Sequence, residues 1–319
     1  MLTRAEIEKI KNTLNDLSED VEIIVVPNEN WKDFENFARI LSELCDRISY
    51  RVEDRGGLIA KPAMILKKDK QENIIYNAIP LRDELEPFLR TIIKLSNGFE
   101  IEDVKGFEAE IFVFVMPVCP YCAKVVEIVN SFAVANPKIK SIVVDVSKFV
   151  DLMYKYEISS APTTMINGEI KLIGYVSKDQ LLEWLKRVSG DYKKDYFVTL
   201  LNERRLDEIK EIIAKNPEDI RILAELLAYE DFMIRFGAMV VLEQIHRENP
   251  DVIKLAKDVM RNHLKHEDLR IREDVAMLLG SIGDETDVKF LEELLKEDEE
   301  EVKASAIEAI KEIRDKYGK

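Results

Sequence analysis

Cysteine is scarce in this chain: three residues among 319, Cys45, Cys119 and Cys122. So low and odd a count excludes a structural disulfide framework and leaves one close pair to explain. Histidine is equally rare, and His246, His263 and His266 all lie far beyond that pair. Zinc needs four ligands, so these residues do not spell a metal site and no metal is expected. No G-x-G-x-x-G occurs, which removes the usual phosphate-binding turn for a dinucleotide. The chain is therefore not expected to hold a cofactor. No apolar run approaches the roughly 18–20 residues of a membrane span. From Met1 to Leu17 charge alternates with Leu and Ile, without the apolar core of a signal peptide, so a cytoplasmic location is expected. Gln is also sparse, three copies beside abundant Lys and Glu, a composition that leans toward a thermophile.

What is plentiful is charge. The chain has 47 Lys+Arg against 62 Asp+Glu, a net charge of −15. Residues 191–319 carry 22 basic and 32 acidic side chains (−10), and residues 1–190 carry 25 and 30 (−5). Such a surface repels phosphates and anionic lipid, which argues against nucleic acid and membrane as partners. A basic protein partner is easier to accommodate. Hydrophobic residues at 46% are enough to fill cores, and 319 residues suggest two to three domains.

Hydrophobic period divides the chain. Residues 3–16 read as an amphipathic helix, 21–26 as a strand and 31–48 as a helix. Strands over 49–54, 63–68 and 73–76 lead to a helix over 83–95. The order then returns: strand 110–116, helix 119–135, strand 141–146, short helix 149–156, strands 163–166 and 169–174, helix 177–188. Asn167-Gly168 signals a hairpin, because both central residues of a type I′ turn need positive φ. Overlaying the halves places Val26-Pro27-Asn28-Glu29-Asn30-Trp31-Lys32 on Met116-Pro117-Val118-Cys119-Pro120-Tyr121-Cys122. Lys61-Pro62-Ala63 falls on Ala161-Pro162-Thr163. One α/β unit occurs twice, and only the second copy has a cysteine pair.

Beyond about residue 195 the strand signal stops. Three helical stretches share a phase, beginning at Asp231, Asp268 and Glu299. Each has an acidic start, an aliphatic–basic pair (Ile234-Arg235, Ile271-Arg272, Val302-Lys303) and a small-residue face. Helix pairs at periods of 30–47 residues mean an α-solenoid, and residues 217–316 resemble HEAT-type repeats.

Cys119-Pro120-Tyr121-Cys122 follows a strand and opens a helix. A helix N-terminus offers unpaired amide donors and the positive end of the macrodipole, which favour thiolate over thiol. Cys119 is then the nucleophile, with a lowered pKa. Pro120 stands where a helix has no amide bond to lose. Cys122, one turn on, can attack a mixed disulfide at Cys119 and release the partner.

With the Ala161-Pro162-Thr163 loop, this order resembles the thioredoxin superfamily, in which a cis-proline loop lies against the dithiol and helps dock a substrate strand. Pro162 takes that role by resemblance. Two tandem units are similar to the thermophilic protein disulfide oxidoreductases. They are more similar still to the N-terminal domain of the alkyl hydroperoxide reductase flavoprotein, where a unit without the motif precedes an active one. Leu58-Ile59-Ala60-Lys61-Pro62-Ala63, Asn136-Pro137-Lys138-Ile139-Lys140 and Pro80-Leu81-Arg82-Asp83-Glu84 carry that likeness. By it, Glu84 is an acid/base residue lent by the inactive unit. Thioredoxin's own buried acid, six residues before its first cysteine, is replaced here by Val113.

The expectation is therefore an α/β protein of two tandem thioredoxin-like units, 1–100 without and 101–190 with the cysteine motif, followed by an all-α HEAT-like solenoid over 191–319. Its implied work is cytosolic thiol–disulfide exchange with protein substrates by Cys119, Cys122, Pro162 and Glu84, with the solenoid docking a protein partner. Resemblance supplies a peroxiredoxin and a separate flavoprotein thioredoxin reductase as neighbours. The competing reading is a redox-sensing HEAT scaffold without turnover. Simpler assignments stand beside the sharp ones. Cys45 reads as a buried core thiol, Pro62 as a fold relic and Glu84 as a first-turn carboxylate. Glu297 to Glu301 loads a helix start, and His263 and His266 read as solvated loop residues.

Overall fold

The computed structural model describes residues 2–188 and 192–317. Contacts divide the chain into two compact units, Met1–Gly190 and Asp191–Lys319.

The first unit is built on one sheet of eight strands. In chain order these are β1 (Val21–Val26), β2 (Ile48–Val52), β3 (Ala63–Lys68), β4 (Gln71–Asn77), β5 (Ala109–Val115), β6 (Ile139–Asp145), β7 (Thr163–Ile166) and β8 (Ile170–Ile173). Their spatial order is β2-β1-β3-β4-β6-β5-β7-β8. Each half thus repeats one pattern: a parallel pair (β1 with β2, β5 with β6) and an antiparallel hairpin (β3–β4, β7–β8). The parallel pairing of β4 with β6 fuses the halves. Runs such as Ile23 to Val26 and Ile111 to Val115 are buried throughout, because helices cover both faces of the sheet.

Those helices are α1 (Arg4–Leu14), α2 (Lys32–Leu44), α3 (Leu85–Asn97), α4 (Pro120–Ala135), α5 (Val150–Lys155) and α6 (Lys178–Val188). Thr3 caps α1 in a capping box with Glu6. The helix expected over 31–48 stops at Leu44, and Ile48 already opens β2. Cys45 is its C-cap residue, only half-buried, with Sγ 3.6 Å from the Leu14 carbonyl. It is therefore not the core thiol that its apolar neighbours suggested, because the chain turns out of the helix at that point.

A buried polar cluster ties the halves. Asn130 Nδ2 of α4 donates to Tyr76 Oη at 2.6 Å and to Thr91 Oγ1 at 3.0 Å, and Ser141 Oγ donates to Asn130 Oδ1 at 2.6 Å. Asn73 Nδ2 reaches the carbonyls of Ala133 and Ile139. Each donor would be costly to bury alone, so these bonds fix how β4 meets α4 and β6.

The second unit comprises α7 (Lys193–Asn202), α8 (Leu206–Lys215), α9 (Ile220–Glu225), α10 (Phe232–Glu248), α11 (Pro250–Ile253), α12 (Lys257–His263), α13 (Leu269–Ile282), α14 (Glu285–Leu294) and α15 (Glu300–Tyr317). Asp231 and Asp268 cap α10 and α13 by accepting from Met233 N and Arg270 N. In the first two pairs the basic residue is an arginine that reaches back to the preceding turn. Arg235 is buried, donates to the carbonyls of Tyr229 and Glu230, and pairs with Asp274. Arg272 repeats this on His266 and Glu267 and pairs with Glu297. Each guanidinium ties a helix start to the turn before it, whereas Lys303 of the third pair bonds Glu300 of its own helix. His263 and His266 are half-buried, 6.5 Å apart between ring centroids, rather than solvated. Among the described residues no helix is long and apolar enough to cross a membrane.

Candidate active site

The end of β5 delivers the chain to α4 through an exposed loop, Met116 to Val118. Val118 has φ 62°, an unusual left-handed conformation for a β-branched residue, and its side chain faces solvent. Cys119 is the N-cap of the 16-residue helix α4, and Pro120 is its first residue. Cys119 and Cys122 are joined as a disulfide with Cα atoms 5.2 Å apart. Cys122 is fully buried and Cys119 half-buried, so an incoming group reaches Cys119. Cys122 N donates to Cys119 Sγ at 3.2 Å. That amide and the helix dipole are the groups that would stabilise a thiolate at Cys119.

The loop before β7 faces the disulfide. The Ala161–Pro162 bond is cis, and Cys119 Sγ lies 3.9 Å from the Ala161 carbonyl oxygen. Gly174 N donates to the Pro162 carbonyl at 2.8 Å. This bond sets Tyr175 beside the loop, and the Tyr121 and Tyr175 rings stand 6.4 Å apart, both exposed. Met116, Val118, Tyr121 and Tyr175 form an apolar rim that sequence reasoning missed. The readable signal was Gly174-Tyr175 at the end of the closing hairpin, where Gly174 has φ 87°.

Glu84 ends a 3₁₀ turn, Arg82–Glu84, packed against α4. It is 8% exposed, and neither carboxylate oxygen has a hydrogen-bond partner. Burial, with the charges of Asp83 and Asp145 nearby, pushes its pKa up to about 7. Asp145 lies opposite Val115, at the end of β5. The geometry thus gathers Cys119, Cys122 and Pro162 at one sheet end, with Glu84 on a turn against the helix that carries Cys122.

The other cis proline is Pro62, after Lys61. A cleft of about 670 Å³ adjoins it, lined by Asn28, Phe34, Lys61 and Pro62 and by Lys148 and Asp151 of the second half. It holds no cysteine.

The N-terminal unit is a tandem thioredoxin-like module with one dithiol, and HEAT repeats follow it. Residues 109–186 match the thioredoxin domain and residues 254–311 match HEAT repeats. An alkyl hydroperoxide reductase component of Pseudomonas aeruginosa is 24% identical over 185 residues, covering 54% of this chain and 35% of that protein. The chain therefore spans about a third of that relative's length. Among solved structures, the N-terminal domain of the Enterococcus faecalis alkylhydroperoxide reductase AhpF superposes with a TM-score of 0.54 at 19% identity, covering 58% of this chain and all of that one. A protein disulfide oxidoreductase from Aeropyrum pernix K1 gives 0.52 at 21% identity, covering 59% and 94%. Those likenesses establish the fold.

Proposed function

We propose that this chain is a thiol–disulfide oxidoreductase acting on protein substrates through Cys119 and Cys122. One observation carries the reading: a half-buried cysteine caps a long helix opposite a cis-proline loop, with its partner sulfur buried behind it. In the reducing direction, the Cys119 thiolate attacks one sulfur of a partner disulfide, and the other partner sulfur leaves as thiolate and takes a proton. Cys122 then loses its proton and attacks Cys119 Sγ. The partner's second thiolate leaves, and two electrons have moved from chain to partner. Glu84, with a pKa near the working pH, is suited to exchange the Cys122 proton. Pro162 shapes the wall against which a substrate strand lies, and the apolar rim covers residues flanking its cysteine.

Residues 1–100 serve as the half without the cysteine motif, 101–190 as the reacting half, and 191–319 as the surface that docks a protein partner. The likeness to alkyl hydroperoxide reductase supports a peroxiredoxin as electron acceptor and a separate flavoprotein reductase as electron donor. A reducing cytoplasm is the compartment in which such a dithiol would turn over.

Incubation of the Cys122→Ser chain with insulin is expected to accumulate a mixed disulfide through Cys119 that dithiothreitol releases. The Cys119→Ser chain forms none. A native dithiol that cycles between redox states yet reduces no protein disulfide would overturn the enzyme reading in favour of a redox-sensing scaffold.

A further inference from the structure

The C-terminal unit carries a groove that the dithiol chemistry does not use. It has a volume of about 360 Å³ and runs across α10, α13 and α15, with Met239 and Glu243 on the first, Met277 on the second and Glu308 and Glu312 on the third. Its floor is made of small residues. A Cβ on Gly280 would come within 2.9 Å of Ala309 Cα, so α13 and α15 touch there and leave the trough open above.

An apolar stripe extends the groove along α10. Phe232, Phe236, Met239 and Glu243 recur at helical spacing and share one face. The two Phe rings stack at 6.0 Å, and both are exposed, as is Met277. Thioethers and aromatic rings left in water gain most from being covered, and Met adapts to irregular partners. The rim is acidic. Glu308 and Glu312 have no ion-pair partner among the described residues. Glu243 has only the exposed Arg247 at 3.4 Å.

We propose that this groove docks a basic amphipathic helix of a partner protein. Its apolar side chains would sit on Met239, Met277 and the Phe232–Phe236 pair, while its Lys or Arg side chains face Glu243, Glu308 and Glu312. A trough flanked by exposed Met and Phe side chains and edged by Glu243, Glu308 and Glu312, the last two without an ion-pair partner among the described residues, is complementary in charge to such a helix, and complementarity of this kind selects partners. The inference rests on the reading that the C-terminal unit docks a protein.

The test uses the full chain with ¹³C-methyl-labelled methionine. The probes are Leu/Lys amphipathic peptides of about 18 residues, or five helical turns, and their Leu/Glu counterparts. Titration with the cationic peptide is expected to shift the Met239 and Met277 methyl signals, and the anionic peptide to shift neither. Met277→Glu and Glu308→Lys, both at exposed positions, should each weaken binding about tenfold. Glu218→Lys, outside the groove, should not. Shifts at Met233 or Met260 alone, or binding that survives both groove substitutions, would overturn the groove while leaving a docking C-terminal unit. Shifts confined to Met64, Met116, Met153 and Met165 would overturn both. No binding by the cationic peptide would overturn the groove.

Discussion

The two halves of the N-terminal unit share a strand order, a helix leaving the end of the central strand, and a cis proline opposite that helix. Yet the first half differs from the second by more than the absence of a cysteine pair. In the second half α4 starts at Pro120, directly after Cys119, whereas α2 starts at Lys32, two residues later in the overlay, after Trp31. Where Val118 faces solvent without a bond, the exposed Asn28 reaches across and donates to the Lys61 carbonyl at 2.6 Å. Ile173 lies opposite Thr163, and the register of β3 and β4 puts Asn77 at the matching place opposite Ala63. Ile173 is exposed, but Asn77 is fully buried and donates to the carbonyls of Ala60 and Pro62 at 2.9 and 3.0 Å. Every carbonyl from Ala60 to Pro62 is thus already engaged. The loop at Pro62 is thus a closed counterpart of the loop at Pro162, its carbonyls taken by two asparagines while a cleft lies beside it.

The largest test of this contrast applies one change to both halves. Cys119→Ser should cut protein-disulfide turnover by on the order of a thousandfold, since the nucleophile itself is removed. Glu29→Ser, at the overlaid position, should leave turnover unchanged. A loss on Glu29→Ser would show that the loop before α2 takes part in the chemistry.

Next in size is Asn77→Ala. Two hydrogen bonds go, and buried carbonyls are left without donors, which should lower stability by about 2–4 kcal/mol in chemical denaturation. Insulin reduction below the transition should be unaffected. Reduced turnover in the still-folded variant would join the Pro62 loop to the active site and break the contrast.

Glu84 crosses the contrast, as a residue of the first half proposed to act in the second. Its pKa, raised to about 7 from an ordinary 4.5, means the folded chain holds that proton more tightly than the unfolded one. The associated stability is present below about pH 4.5 and is lost as pH rises through about 7. Glu84→Gln removes this loss, so at pH 8 the variant should be more stable by on the order of 3 kcal/mol. Its rate profile for protein disulfides should also lose an inflection near pH 7. A gain in stability with an unchanged rate profile would leave Glu84 as a buried acid without a catalytic proton.

Much of this was legible in the residues. Strand runs buried on both faces, the Asn167-Gly168 turn and the C-P-Y-C pair at a helix start are local signals, and each has a local physical cause. The aliphatic–basic pairs of the solenoid were visible as a phase, although the role of the two arginines in tying turns to helix starts needed the fold. What stayed hidden depends on contacts distant in sequence. Asn28 meets Lys61 across 33 residues, Asn130 meets Tyr76 across 54, and Tyr175 reaches the site only because Gly174 bonds Pro162. The overlay of the halves was also blind to the two-residue delay in α2, because no cap residue such as Ser, Thr, Asp or Asn stands at Trp31 to mark it. Cys45 misled because an apolar helical stripe runs up to it and ends there.

The smallest expected effect sharpens the contrast most. Val118→Asn gives the second half the residue that closes the first. At φ 62° an asparagine is more comfortable than a β-branched side chain, so stability should rise by about 1 kcal/mol. Its amide could then donate to the Ala161 carbonyl, as Asn28 does to Lys61, and a docking strand would have to displace that bond. One competing hydrogen bond is worth about 1 kcal/mol, which corresponds to roughly a fivefold fall in kcat/KM for insulin, carried mostly by KM. Reaction with a small linear disulfide such as hydroxyethyl disulfide needs no docked strand and should keep its rate. If both substrates slow together, the substitution has disturbed the Cys119 sulfur itself. If neither slows, the Ala161 carbonyl takes no part in docking, and the asparagines of the first half close a loop that never bound a strand.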